Sequence, residues 1–340
     1  MTDTSSMARK GARTARALRW AAVLVLIIAA TWWMTDMPDK SWSNRPAPLS
    51  DEEQIIRDNL KHHVEMLAGE IGERNVWNPG ALAAAALYIR ETLEDLGYEV
   101  HIQTFDSGDM TVQNLEVELA GEGAPKEIII LGAHYDSVAG TPGANDNGSG
   151  VAAMLEIARL LVGNSYARTL RFVAFANEEP PFFYSEEMGS RVYAARSRLR
   201  GEQIKAMLAL ETIGYYSDEP GSQKYPIPFG LFYPDTGNFI GFVGNLSSRR
   251  LVRQALGAFR AATPFPSEGV AAPGWMMGIH WSDHWSFWKE GYPAIMITDT
   301  ALFRYQHYHA ATDTPEKIDY SSLARVTRGV ADVVTELAGN

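Results

Sequence analysis

His134, Asp146, Glu178, Glu179 and Glu211 fall in or just after apolar, strand-like runs, and His309 lies in a late loop; together they offer a metal ion only imidazole and carboxylate groups. Glu178 and Glu179 follow the run 170–176 almost directly, where two adjacent like charges are costly without a cation. A divalent ion resolves that cost. Two ions sharing one carboxylate would use the whole set: each takes a His and a terminal carboxylate, one Asp bridges, and one Glu remains free as a base. Asp136, two residues after His134, suits the carboxylate that a metal-bound imidazole engages through its other ring nitrogen. The chain has no cysteine, so thiolate sites and disulfides are excluded.

These residues need a scaffold that ends several buried strands in one place. Residues 128–131 read as a strand buried on both faces, followed by His134, Asp136 and the Gly-rich loop that carries Asp146. Further strands are expected at 170–176, 206–213 (containing Glu211) and 293–298, with half-buried ones at 98–105 and 112–119. Helices are expected at 150–162, 192–198, 246–261, 282–289 and 320–337. Two earlier ones open on the capping box of Ser50 and Glu53 and end at Gly97, respectively. Residues 215–245, rich in Gly, Pro and aromatic side chains, read as a surface excursion. The alternation predicts an α/β fold, a three-layer sandwich whose mixed, mostly parallel sheet has helices on both faces and antiparallel strands at one edge. Sites in such sheets lie beyond the carboxyl ends of the strands.

The N-terminal part is of another kind. Residues 1–16 form a basic leader, and residues 17–34 are apolar except for Arg19 and Thr31, with Trp20 at one end and Trp32 and Trp33 at the other. That length and those aromatic ends fit a single membrane-spanning anchor, and the basic flank places the leader in the cytoplasm and the rest outside. Secretion after cleavage near Ala29-Ala30-Thr31 is the alternative. Residues 35–50, with Pro38, Pro46 and Pro48, read as a linker, and 51–340 as the catalytic domain. The first 19 residues carry +4, which leaves -15 on the remainder of a chain of formal charge -11. So acidic a body argues against nucleic acid as a partner and suits a soluble enzyme domain.

The motifs His134-x-Asp136, Asn145-Asp146-Asn147-Gly148-Ser149-Gly150, Glu178-Glu179, Glu211, Ser282-Asp283-His284, Tyr308-His309 and Asp313-Thr314, in this order over residues 50–338, resemble metallopeptidase family twenty-eight, the co-catalytic di-zinc aminopeptidases. The resemblance implies two Zn²⁺ ions, one held by His134, Asp146 and Glu211 and the other by Asp146, Glu179 and His309. It makes Glu178 the general base. It implies a peptide or aminoacyl-amide substrate cut at its N-terminal bond, with Mn²⁺ or Co²⁺ also suited to these ligands. Asp283 and His284 would support the site or touch the substrate amine, or else Ser282 or Asp283 caps a helix. Three features depart from the family pattern: Glu211 where Asp is common, the long aromatic stretch 180–188, and the segment 215–234. The rival readings are a glutaminyl-cyclase-like acyltransferase with one zinc, a hydrolase of other amides, and a noncatalytic ectodomain on the same fold.

Overall fold

The run Ile128-Ile129-Ile130-Leu131 is apolar throughout because both of its faces are covered. Ile129, Leu131 and Ala133 enter one buried cluster, and Ile128 and Ile130 enter another on the opposite side of the sheet. The structure is a computed structural model that describes residues 4–44, 46–227 and 229–339, with side chains for residue 16 and from residue 18 onward. Residues 1–3 of the expected leader therefore lie outside the described residues, as do its side chains up to residue 15.

Among the described residues the strands are β1 (His101–Ser107), β2 (Met110–Leu119), β3 (Ala124–His134), β4 (Arg168–Phe175), β5 (Gln203–Leu210), β6 (Ile240–Asn245), β7 (Ser267–Ala272) and β8 (Ala294–Thr298). They pair in the order β1-β2-β4-β3-β5-β8-β6-β7. β4, β3, β5 and β8 are parallel neighbours, so their carboxyl ends open on one side. On the larger core's face lie helices α2 (Asp51–Val64), α3 (Pro79–Asp95), α4 (Gly150–Leu161), α6 (Arg249–Ala262) and α8 (Tyr320–Ala338). Helices α5 (Gly189–Leu199) and α7 (His284–Lys289) cover the other face. The expected three-layer sandwich is present.

Antiparallel pairing occurs at both edges, not one. β2 runs against β4, and at the far edge β6 runs against β8. β6 and β7 lie in stretches expected to be loop, and their glycines explain the difference. A Cβ on Gly244 would lie 2.6 Å from Val252 Cγ2, and one on Gly269 2.6 Å from Leu256 Cδ2. The glycines that hide these strands from propensity are the seats of α6.

The segment preceding the sheet divides after Asp36. Helix α1 (Thr4–Thr35) forms the N-terminal unit, and its Leu18–Thr35 portion is long and apolar enough to cross a membrane, as a signal sequence also would be. At Gly132, two residues before His134, the ring of Phe175 crosses the strand: an added Cβ would lie 2.5 Å from its Cε2. Gly132→Ala is therefore expected to lower stability by about 1–3 kcal/mol, read as a lower urea midpoint with an unchanged slope. An unchanged midpoint would show that the Phe175 ring moves freely.

Candidate metal centre

Each parallel strand delivers one part of the site as it ends. His134 is the last residue of β3, Glu178 and Glu179 follow β4, and Glu211 follows β5 directly. β5 stops at Leu210 rather than continuing to 213, because Thr212 takes a φ of 43°. Asn177 (φ 58°) and His309 (φ 54°) are also left-handed. Such backbone is unfavourable for side-chain-bearing residues, most of all for a β-branched Thr, and it persists only where surroundings fix it. Here they do: Thr212 donates its N–H to Asn147 Oδ1 (3.2 Å) and its hydroxyl to Asp299 Oδ1 (2.8 Å). Asn177 Nδ2 donates to Ser107 Oγ at 2.9 Å.

The sequence-expected residues His134, Asp146, Glu178, Glu179, Glu211 and His309 converge. One oxygen or nitrogen from each of His134, Glu178 and Glu211 lies within 4.8 Å of the others, and the same holds for Asp146, Glu179 and His309. Asp146 stands between the groups. Its Oδ1 is 3.5 Å from His134 Nε2 and its Oδ2 is 3.0 Å from His309 Nε2. Glu179 Oε2 is 3.4 Å from His309 Nε2.

The tautomer of His134 follows from its partners. Nδ1 lies 3.2 Å from the carbonyl oxygen of Asp136, which can only accept, so Nδ1 carries the proton. Nε2 then faces Glu211 Oε2 at 3.2 Å, Asp146 Oδ1 at 3.5 Å and Glu178 Oε2 at 3.8 Å. A ring nitrogen among carboxylates calls for a cation, a proton or a metal ion. Burial alone would lower the pKa of His134, but Glu211 and Glu178 raise it well above its ordinary value. Burial raises Glu178 well above the carboxylate range and Glu179 to about 8, the latter with help from Asp146. Burial opposes ionisation of Asp146 as well, yet contacts with His134 and His309 hold it low. Both oxygens of Asp146 and Oε1 of Glu179 are buried without a hydrogen-bond donor among the described residues. Divalent ions fit this donor set: hard and borderline oxygen and nitrogen ligands, deep in the protein, with unsatisfied lone pairs.

Asp136 does more than face His134. Its Oδ1 accepts the N–H of Glu178 and its Oδ2 the N–H of Glu179, both at 3.1 Å, while Oδ1 is 3.5 Å from His134 Nδ1. Asp283 is fully buried with neither carboxylate oxygen hydrogen-bonded among the described residues, and burial raises it to about 7. It makes no capping bond to α7, and Ser282 donates its hydroxyl to Glu211 Oε2 at 2.7 Å instead. His284 turns away: its Nε2 meets the carbonyl of Ile279 at 2.8 Å and its ring packs edge-on to Trp288.

The residues that hold the loops are the ones sequence reasoning misses. Asp313 stands out there only as part of a motif, yet it accepts the N–H groups of Asn145 (2.8 Å) and Asp146 (3.0 Å) and the hydroxyl of Tyr305 (2.7 Å). Asn145 Nδ2 donates to Asp299 Oδ2 at 2.9 Å. Arg74, fully buried, donates to the carbonyls of Tyr135 (2.7 Å), Gly143 (2.7 Å) and Pro142, and so shapes the loop between His134 and Asp146. A lone Arg between polar neighbours offers no signal of that role.

Two surfaces flank the centre. In the 180–188 stretch, Tyr184 packs against Phe183, His280 and Trp285, close enough for the charge of Glu178 to act on its hydroxyl. Beside Glu211 and Tyr308 opens an apolar pocket of about 800 Å³, including its mouth, walled by Tyr225, Phe229, Phe239, Trp281 and Met296. The segment 215–234, left without a role by its sequence, supplies part of that wall. In the 275–288 region Phe287 is core, Trp281 lines the pocket and Trp275 is exposed.

Asp136→Asn retains the size of the side chain but only one carbonyl acceptor for two backbone N–H groups. It is expected to cost about 1–3 kcal/mol of stability, read by denaturant unfolding. A variant as stable as the parent would show that the clamp on Glu178 and Glu179 is not needed.

Known proteins share this sequence pattern and fold. The chain is 38% identical over 317 residues to the uncharacterized protein YfbL of Escherichia coli (strain K12), spanning 91% of this chain and 93% of that one. It is 27% identical over 250 residues to the probable aminopeptidase YDR415C of Saccharomyces cerevisiae, 69% of this chain and 60% of that one. Its fold is similar to that of BSAP, a zinc aminopeptidase from Bacillus subtilis, with a TM-score of 0.66 at 18% identity over 87% of this chain and 97% of that one. The family model of peptidase family M28 matches residues 114–334. With that match reaching from β2 into α8 and enclosing every residue of the two clusters, the chain belongs to peptidase family M28.

Proposed function

We propose that the protein is a membrane-anchored aminopeptidase with two zinc ions, one held by His134, Asp146 and Glu211 and the other by Asp146, Glu179 and His309. The observation that carries this reading is Asp146, whose two buried oxygens face different histidines and, among the described residues, accept no well-aligned hydrogen bond. Bound zinc supplies Lewis acidity toward the scissile carbonyl and lowers the pKa of a water to about 7. Mn²⁺ or Co²⁺ suits the same ligands.

Glu178 is the general base in this reading. Of the three carboxylates around His134 Nε2 it lies farthest, at 3.8 Å, which leaves it free to take a proton from water and return it to the leaving amine. The terminal ammonium of a peptide suits the carboxylate-rich surroundings, to which Asp283 contributes. The apolar pocket beside Glu211 and Tyr308 suits a large apolar first side chain. The name of the yeast relative, a probable aminopeptidase, points the same way.

Anchorage rests on the Leu18–Thr35 portion of α1, and the catalytic body outside the cytoplasm rests on the basic residues before it, Arg9, Lys10, Arg13 and Arg16. In this reading residues 1–16 are the leader, 17–34 the anchor, and the residues beyond the anchor belong to the peptidase.

Elemental analysis is expected to find two zinc ions per chain, whereas a single ion would favour the acyltransferase reading. Glu178→Gln is expected to lower turnover of aminoacyl amides by about 10²–10⁴-fold with metal content unchanged. Unchanged turnover would remove Glu178 as the base. Chelation should abolish hydrolysis and added zinc restore it. Asp146→Ala should lose both ions together, and retention of both with full activity would overturn the shared carboxylate.

A further inference from the structure

Residues 37–50, which read as a linker, are fastened to the body. Arg260 on α6 donates Nη1 to the carbonyls of Pro38 (2.7 Å) and Asp39 (3.0 Å), and Ser267 on β7 donates its N–H to Ser41 Oγ at 2.9 Å. Farther on, Arg325 of α8 binds the Ala47 carbonyl. Met37 and Pro38 occupy space left by glycines: a Cβ on Gly269 would lie 3.2 Å from Met37 Cγ, and one on Gly257 3.3 Å from Pro38 Cγ. The body thus begins at Met37, while α1 ends at Thr35. Only Asp36 separates them. Two Cα steps of 3.8 Å allow about 8 Å of chain, so Met37, which packs at β7, lies no farther than that from the last residue of α1.

Gly269 also identifies what lies there. Tyr233 donates its hydroxyl to the Gly269 carbonyl at 2.7 Å, which ties the 225–233 loop to the same residue that Met37 packs against. That loop exposes Ile227 (94%), Leu231 (82%) and Phe232 (49%), while Tyr225 and Phe229 turn inward to line the apolar pocket. Three large apolar side chains in water on one short loop mark a surface that meets lipid or a partner. Of the two, lipid is the occupant that the anchor supplies, since only Asp36 lies between the end of α1 and the start of the body.

We infer that the 225–233 loop inserts Ile227, Leu231 and Phe232 into the bilayer interface, so that the body rests on the membrane with one wall of its apolar pocket against lipid. This rests on the anchored reading of α1 proposed above.

The absence of cysteine makes a direct test available. In the full chain, Leu231→Cys, Leu24→Cys and Leu199→Cys place a spin label on the loop, in α1 and at the exposed end of α5, respectively. Each variant is reconstituted in vesicles of phosphatidylethanolamine and phosphatidylglycerol, and relaxation by oxygen is compared with that by a water-soluble nickel chelate. The expected result is oxygen-dominated relaxation at 24 and 231 and nickel-dominated relaxation at 199. Lipid exposure at 24 with 231 reporting water would overturn the inference and leave the anchor standing. Water at 24 would remove the anchored reading and the inference with it. Dipolar broadening between labels at 231 would show a second copy on the loop and also overturn it. Turnover of a soluble aminoacyl amide by the Leu231→Cys variant should match the parent, which checks that the body is folded.

Discussion

Asp136, Asp146, Glu178, Glu179, Glu211 and Asp283 are all buried around the imidazoles of His134 and His309, and gathering that much negative charge out of water is the constraint on which the surrounding structure depends. Nothing about a mostly parallel sheet makes such a cluster stable by itself. The nearby guanidinium of Arg74 bears on Asp136, Asp146 and Glu179, but its donors are committed to backbone carbonyls, and burial lowers its own pKa to about 10. The cluster is consequently short of positive charge, and the loops that carry it are held by hydrogen bonds that Asp313, Asn145 and Asp299 accept and Asn147 donates. These partners keep apart groups that repel one another, and at Thr212 they hold a backbone conformation that the residue would not choose.

The places of His134, Glu178, Glu179 and Glu211 were legible in the sequence because buried strands end where the chain places polar residues, and the unbroken apolar runs mark those strands, whereas Asp146 and His309 lie in loops and joined them through the ordered set of motifs. What was not legible depends on contacts distant along the chain. Arg74 reaches the 135–143 loop from a turn more than 60 residues earlier, and a single Arg in a polar stretch does not advertise burial. Asp299 follows a readable strand, but its bonds to Asn145, Thr212 and Tyr215 exist only once three loops have met.

The far edge of the sheet was hidden for a different reason. β6 and β7 are rich in Gly and Ala, which sequence propensity assigns to loops, whereas here the missing side chains admit Val252 and Leu256 of α6. The same economy of space seats Met37 and Pro38, so the residues that obscure the strands also convert an apparent linker into part of the domain. The 215–234 segment was opaque because its aromatics serve a cavity rather than a periodic face, and cavities leave no repeat in a sequence.

Asp136 joins the ends of β3 and β4 through a single residue: its carbonyl holds the ring of His134, and its carboxylate holds the backbone of Glu178 and Glu179. The two strands are already parallel neighbours, registered up to His134 and Phe175. The ends of the two strands are therefore mechanically coupled through one side chain. Moving His134 outward alone would break its bond to Asp136 or pull on the backbone of Glu178 and Glu179, whereas Glu211 and the loops of Asp146 and His309 make no bond to Asp136 among the described residues.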